Sequence, residues 1–307
     1  MCGITIFNKL NGDIIEINMM NKFRGPDSTN SILVNEITFI HNLLSITGTN
    51  NIQPIYDKKN NIVCLFNGEI YNYLKLKESL LKTIDPSKDD KNLIGLLNNV
   101  SSDSHIIIPY FLHYGSSFPN YLDGEFSIVL FDFKNSIFHL ISDPFGTKPL
   151  FYEMNTLDKS FMISSYRDCL LKNKFENPDK MKANKFMSFS LENLKNIETI
   201  DLYKFDFKQY KNSYDDWCSA FKDSIHKRAK GRDDVFVSLS SGYDSGAICC
   251  QLNMLDYKYG TFSVFGKEDV NTLLNRRNKN SEHVNNALYY NLNEKIIKKY
   301  KDRNAKY

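Results

Sequence analysis

The chain opens Met1-Cys2-Gly3-Ile4. Removal of one methionine would leave a cysteine whose thiol and free α-amine sit on the same carbon. An α-amine titrates near ~7.7–8.0 in peptides, so nucleophile and proton acceptor would come in one residue, with no histidine partner required. A cysteine at position two is a weak signal alone and gains weight only from other residues that serve the same reaction. Phe66-Asn67-Gly68-Glu69 is one such segment. It reads either as a simple turn or as an oxyanion hole, in which the Asn67 amide and the Gly68 backbone N–H meet a developing negative charge. Losing one such donor typically costs about 2.7–4 kcal/mol of transition-state stabilisation, and a glycine at 68 would let backbone approach closely. Far downstream, Ser240-Ser241-Gly242-Tyr243-Asp244-Ser245-Gly246 is either a turn or an anion site made of hydroxyls and N–H groups at a helix start. Asp244 there is a candidate Mg²⁺ ligand, because that ion takes one or two carboxylates beside phosphate oxygens.

The elements that would position these residues fall into two kinds. Gly3 to Phe7 reads as a strand ending at the hairpin signal Asn11-Gly12, and further strands are expected at 37–40, 62–66, 126–133 and 137–141. Helices are expected at 71–81 and 104–114, the second with Ser102-Asp103 as its N-cap. Such mixing suggests a layered α+β domain. Arg24-Gly25-Pro26-Asp27, Leu122 to Ser127 and Asp143 to Tyr152 are dense in turn-forming residues. Around 173–206 the chain turns polar, as a linker with a small hairpin would. Beyond it, an amphipathic helix at 214–230 (Trp217, Phe221, Ile225) leads into a strand at 234–239, the Ser/Gly turn, a helix at 247–255 and a strand at 261–265. Strand–turn–helix–strand indicates a parallel α/β sheet. Residues from Asn271 on read as helical, with Leu273, Leu274, Val284, Leu288, Leu292 and Ile296 as an apolar stripe.

Composition sets the class. The chain has 307 residues, 42% hydrophobic and 24% charged, with a net charge of +3, which suits a soluble protein of two domains and offers no basic surface for nucleic acid. The basic residues at 298–306 fit a solvated helix end. No signal peptide or membrane span is evident. The six cysteines lack metal-ligand spacing, so reduced thiols and a cytoplasmic location are expected, with Cys249-Cys250 as packing. Six scattered histidines suit structural roles.

Taken in order, these motifs resemble the class II glutamine amidotransferases, and more closely the asparagine synthetase family, from Cys2 to about Gly266. The resemblance implies an N-terminal-nucleophile hydrolase sandwich (αββα) over 1–172, a linker and hairpin over 173–212, and a partial α/β parallel-sheet domain of ATP-pyrophosphatase type over 213–307. It implies that Cys2 forms a γ-glutamyl thioester, that Asn67 and Gly68 hold the oxyanion, and that Glu69 and Asp103 grip the substrate's amino end. Leu43, Leu44, Ser45, Ile46 and Thr47 would line the glutamine pocket. Ammonia would pass to a second site where ATP and Mg²⁺ activate aspartate as an adenylate. There Ser240, Ser241, Gly242, Asp244 and Ser245 would meet the pyrophosphate, Asp244 the metal, and Leu239 and Val264 the adenine. The expected partners are small molecules, glutamine and aspartate, together with a second copy of the chain or a separate chain completing the synthetase.

Three departures from the family pattern stand out. Leu43 occupies the place of an arginine that binds the glutamine carboxylate, so either another cation such as Arg24 compensates, or glutamine affinity is poor, or the substrate is different. Ser241 replaces a loop glycine. Only about sixty residues follow the loop, with no later Gly/Ser/Asp/Glu motif, so the synthetase domain is expected to be shortened. The competing expectation is a catalytically impaired binding or regulatory homologue, or a glutaminase half that serves another carboxylate.

Overall fold

The structure, a computed structural model, describes residues 1–48, 52–85, 91–208, 210–232, 234–265 and 268–291. It divides into two compact units, Met1–Phe207 and Lys208–Tyr307.

In the first unit the described elements are β1 (Gly3–Phe7), α1 (Ile14–Lys22), β2 (Ser28–Val34), β3 (Ile37–Leu43), β4 (Ile55–Asp57), β5 (Ile62–Ile70), α2 (Tyr73–Thr83), α3 (Lys91–Asn98), α4 (Ile107–Tyr114), β6 (Gly124–Asp132), β7 (Ile137–Ser142), β8 (Phe151–Asn155), β9 (Ser160–Ser164), α5 (Arg167–Lys172), β10 (Asp179–Lys180), β11 (Lys185–Ser190) and β12 (Asn196–Asp201). The strands form two six-stranded sheets, ordered β10-β8-β9-β1-β3-β2 and β12-β11-β7-β6-β5-β4, with antiparallel pairing throughout.

Alternation of side chains along each strand builds the layers. On β5, Val63 and Leu65 face a core shared with Ile4, Ile6 and Phe39 of the other sheet. Cys64 and Phe66 face α2, α3 and α4. On the far side, α1 and α5 pack on the first sheet through Ile17, Cys169 and Leu170. The order helix, sheet, sheet, helix is the expected αββα sandwich. Residues 173–201 supply β10 to one sheet, and β11 and β12 to the other through pairing with β7.

Several local expectations are corrected. Asn11-Gly12 is not a hairpin but the entry to α1. Asn173 Oδ1 accepts from both of its N–H groups, and Asp13 caps the helix by accepting from Ile15 N. Asn67-Gly68 is not a turn but lies inside β5, in register with Ser127 and Phe126 of β6. Gly68 therefore serves sheet packing: a Cβ there would sit 2.1 Å from the Glu125 carbonyl oxygen. Gly68→Ala is expected to destabilise the protein by roughly 1–3 kcal/mol, the usual cost of overpacking. A urea midpoint equal to wild type would refute that. Ser102 makes no side-chain cap; residues Asp103–Ile106 form a 3₁₀ turn ahead of α4.

The second unit holds α6 (Asp215–Ala229), β13 (Phe236–Ser238), α7 (Tyr243–Met254), β14 (Tyr259–Phe265), α8 (Val270–Lys279) and β15 (Val284–Asn291). The three strands are parallel, in the order β13-β14-β15. Their core joins Ile225, Val237, Leu239, Cys249, Leu252, Tyr259 and Leu273. Of the predicted α6 stripe, Ile225 is buried but Trp217 is 63% exposed and stacks on Phe221. Cys249 packs, whereas Cys250 is exposed. The apolar stripe from Leu273 is broken: Val284 and Leu288 belong to a strand, because parallel pairing with β14 overrides the helical spacing. Leu292, Ile296, the basic residues at 298–306 and Gly266 lie outside the described residues.

Candidate functional site

Cys2 sits just before β1 and is buried. Its thiol lies in a backbone cradle, with Leu44 N–H donating to Sγ at 3.5 Å and Sγ–H donating to Leu44 O at 3.7 Å. Burial raises the thiol pKa, the carboxylates of Asp103 and Glu69 add to the rise, and the Leu44 hydrogen bond and the N-terminal charge oppose it. Burial is also the main cause that lowers the Met1 ammonium, helped by Arg24 and Lys148. The lowered ammonium leaves more of the amine in its neutral, proton-accepting form, but both shifts oppose net transfer of the thiol proton to it.

Arg24 fixes the backbone of the nucleophile. Its Nε donates to Cys2 O at 2.9 Å, and its guanidinium lies 5.1 Å over the Tyr166 ring. Its Nη2 donates to Met1 Sδ at 3.5 Å. Next to it, Asp27 Oδ2 accepts from Ser45 N at 2.7 Å and ties the 24–27 turn to the strip that follows β3.

The two ends of the Asn67 side chain differ in their surroundings. The Cys2 backbone N–H donates to Asn67 Oδ1 at 2.9 Å. A donor must meet oxygen, so this bond also settles which end of the amide is nitrogen. Nδ2 then has no hydrogen-bond partner although Asn67 is fully buried. A buried donor without a partner costs about 1–3 kcal/mol, and such a group beside a nucleophile suits an oxyanion that forms only during reaction. His41 supports the preceding residue. Its Nε2–H donates to Phe66 O at 3.2 Å, and burial brings its pKa down to about 4, so the ring is neutral.

On the other side of Asn67, Glu69 accepts a 2.5 Å bond from Thr47 Oγ1. Asp103 accepts from Ile70 N at 3.0 Å and from Ser104 N at 2.9 Å. Burial first, and the Glu69 charge second, push Asp103 up to about 7 despite those bonds. Between ~4, where an unfolded aspartate ionises, and about 7 the native protein holds the extra proton. Asp103 therefore removes stability as pH rises through that window. Asp103→Asn cannot ionise and is expected to gain stability on wild type from pH ~4 to ~7, then keep a constant lead. Urea midpoints that run parallel across that range would refute it.

Cys2, Leu44, Thr47, Asn67, Gly68, Glu69 and Asp103 are thus joined by hydrogen bonds, electrostatic reach or strand adjacency. Leu43 ends β3, and Ser45 and Ile46 continue the same strip. Sequence reasoning missed the roles of Arg24, His41 and the neighbouring Lys148–Glu125 pair (3.2 Å), whose acid also accepts from Tyr71 OH. Their only sequence signal is that Glu125 and Lys148 fall in the turn-dense stretches.

In the second unit, Leu239 is buried in the core and donates to Phe262 O at 2.8 Å, and Val264 lies on β14. Ser240 and Ser245 bond through their hydroxyls at 2.9 Å. Ser241 is not among the residues with positive φ, so its Cβ is accommodated. Its N–H donates to Glu268 Oε2 at 2.6 Å, and its hydroxyl donates to the same oxygen. The loop's donors thus do take an anionic oxygen, supplied here by the chain itself. Gly242 is the N-cap of α7, and Asp244 is exposed in its first turn. Among the described residues no cluster of three His, Cys, Asp or Glu side chains has metal-binding geometry, and no helix is long and apolar enough to cross a membrane.

Comparison with known proteins agrees with this geometry. Residues 1–210 match the family described as glutamine amidotransferase domain. The chain is 28% identical over 302 residues to glutamine-hydrolyzing asparagine synthetase 1 of Bacillus subtilis, covering 86% of this chain and 46% of that protein. It is 31% identical over 173 residues to the glutamine-hydrolyzing asparagine synthetase of Sandersonia aurantiaca, covering 54% and 30%. It therefore spans less than half the length of these relatives. The solved glutamine phosphoribosylpyrophosphate amidotransferase of B. subtilis shares the fold, with a TM-score of 0.50 at 11% identity over 94% of this chain and 65% of that one.

Proposed function

We propose, from the premise that this chain belongs to the glutamine amidotransferase domain family, that its first unit releases ammonia from the side-chain amide of glutamine. The observation that carries this reading is the Asn67 amide, whose oxygen holds the Cys2 nitrogen while its nitrogen is a buried, unpartnered donor. Once Met1 is removed, that Cys2 nitrogen becomes the α-amine. The amine takes the thiol proton, Sγ attacks the amide carbon, and Asn67 Nδ2 with the Gly68 N–H meets the oxyanion. Collapse expels ammonia, which leaves with the proton, and leaves a thioester on Sγ. Water then hydrolyses the thioester to glutamate and frees the thiol. Glu69, joined by Asp103 as it ionises near pH 7, suits the substrate's ammonium.

Transfer of that ammonia to aspartate is a further proposal, supported by the names of the relatives. In it Ser240, Ser241, Gly242 and Ser245 would hold the phosphates of ATP, with Leu239 and Val264 beside the adenine and Asp244 at Mg²⁺. ATP, when bound, supplies activation of the acceptor carboxylate. The donor set of the loop fits an anion, because Ser241 already holds a carboxylate oxygen, and Glu268 has to move for a phosphate to take its place. A glutaminase serving another carboxylate is the alternative acceptor reading.

The test is amide-labelled glutamine with ATP, magnesium and aspartate, using protein that mass spectrometry shows to begin at Cys2. Labelled asparagine is expected if both proposals hold, and glutamate with free labelled ammonia if only the first does. Absence of all three products would end the reading of glutamine as the substrate.

A further inference from the structure

The site around the thiol carries its charge unevenly. Glu69 and Asp103 both lie near enough to raise the Cys2 thiol. The strip opposite them, Leu43, Leu44, Ser45, Ile46 and Thr47, contributes no cation. Leu43 ends β3 on the face shared by Phe39 and His41, since alternate residues of a strand line one face. It is half-buried at the end of that face, next to Leu44, whose backbone holds the Cys2 thiol.

The cations nearby, among the described residues, are engaged at the N-terminal residues or at Glu125. Arg24 holds Cys2 O through Nε, stacks on Tyr166 and donates from Nη2 to Met1 Sδ at 3.5 Å, and Lys148 pairs with Glu125. The nearby imidazoles carry no charge at neutral pH: burial lowers His41 to about 4 and also lowers His105, which bonds Ser101 Oγ. A free α-amino acid brings both an ammonium and a carboxylate. The ammonium suits Glu69 and Asp103. The carboxylate would be desolvated against Leu43 and two acids, with no cation directed at it, and an uncompensated charge in such a place is strongly disfavoured.

We propose that this site prefers primary amides bearing an α-ammonium but no free α-carboxylate. A glutamine whose carboxyl is capped as an amide, as at the N-terminus of a peptide, has this chemistry, and so does its decarboxylated analogue. The proposal rests on the amidase reading above for its chemistry. Sγ bonds to the side-chain carbonyl carbon as the C–N bond breaks, ammonia leaves with the thiol proton, and water cleaves the thioester and restores the thiol. No oxidant or reductant is involved.

The experiment separates binding from turnover. Calorimetry on full-length Cys2→Ala measures binding of L-glutamine, L-glutaminamide and 4-aminobutanamide, and ammonia release is measured for wild type with the same three compounds. The expected result is at least about tenfold tighter binding of glutaminamide than of glutamine, with the order reversed in the double variant carrying Leu43→Arg. Tight binding of 4-aminobutanamide as well makes the absent carboxylate, and not the added amide, the cause. Glutaminamide binding more tightly without any ammonia release supports the specificity and overturns the amidase reading alone. Glutamine binding as tightly as the capped compound, or binding of none of the three, overturns the proposal.

Discussion

Cys2→Ala is expected to abolish ammonia release from glutamine, a loss on the order of 10⁴-fold or more, as follows removal of a covalent nucleophile. Among the described residues of the first unit the other thiols, Cys64 and Cys169, are buried. The nearest buried thiol, by chain position, is Cys64, whose side chain faces the core under α2 and α4 and whose pKa burial raises strongly. His41 is neutral and directed at Phe66 O. The exchange removes one sulfur atom from a backbone cradle and leaves the Cys2 N–H and C=O contacts to Asn67 and Arg24 in place. The fold should therefore persist, as circular dichroism and an unchanged urea midpoint would show. Cys2→Ser adds a control: its hydroxyl is a far weaker nucleophile beside the same amine, so it should retain only traces of activity. Undiminished ammonia release from folded Cys2→Ala would remove the mechanism altogether.

Asn67→Ala is expected to lower kcat by about 10²–10³, corresponding to about 2.7–4 kcal/mol of lost oxyanion stabilisation. KM should change little, because Nδ2 meets charge that exists only after attack. Asn67→Asp separates the two halves of the side chain. It keeps an oxygen for the Cys2 nitrogen but replaces the donor by negative charge, so kcat should fall at least as far while the N-terminus stays anchored. Stability gives an independent reading. The buried, unpartnered Nδ2 is a cost to the fold, whereas the 2.9 Å bond to Cys2 N is a gain, so Asn67→Ala should change the urea midpoint far less than it changes kcat. Steady-state kinetics with kcat within about threefold of wild type would exclude Asn67 as an oxyanion donor.

Much of this protein is visible along the chain because its functional groups are local chemistry. A thiol and an amine on one residue, Asn67 beside Gly68, and the Ser/Gly run at 240–246 require no knowledge of distant contacts. Runs of alternating and branched residues at 37–43, 62–70, 124–132 and 137–142 likewise declare strands, since the driving pattern lies within each strand. Where two local signals competed, tertiary partners chose. Asn11-Gly12 has the residues of a tight turn, yet Asn173, 162 residues away in sequence, binds its backbone and turns it into a helix entry. Residues 284–291 fit a helical stripe, yet the edge of β14 makes them a strand.

The candidate reacting groups were thus legible in sequence alone, as were the two kinds of unit and the order of most strands and helices. Tertiary structure decided how those groups are coupled. Only pairing of β5 with β6 shows that Gly68 exists to admit the Glu125 backbone. Only apposition of the two sheets puts Asn67 on Cys2 and leaves Nδ2 unpaired. Only burial beside Glu69 turns Asp103 from an ordinary carboxylate into one that holds its proton to about 7. The reason is physical: residue type fixes which proton or electron pair is available, whereas desolvation and field depend on neighbours brought together from more than sixty residues apart, as Cys2 and Asn67 are.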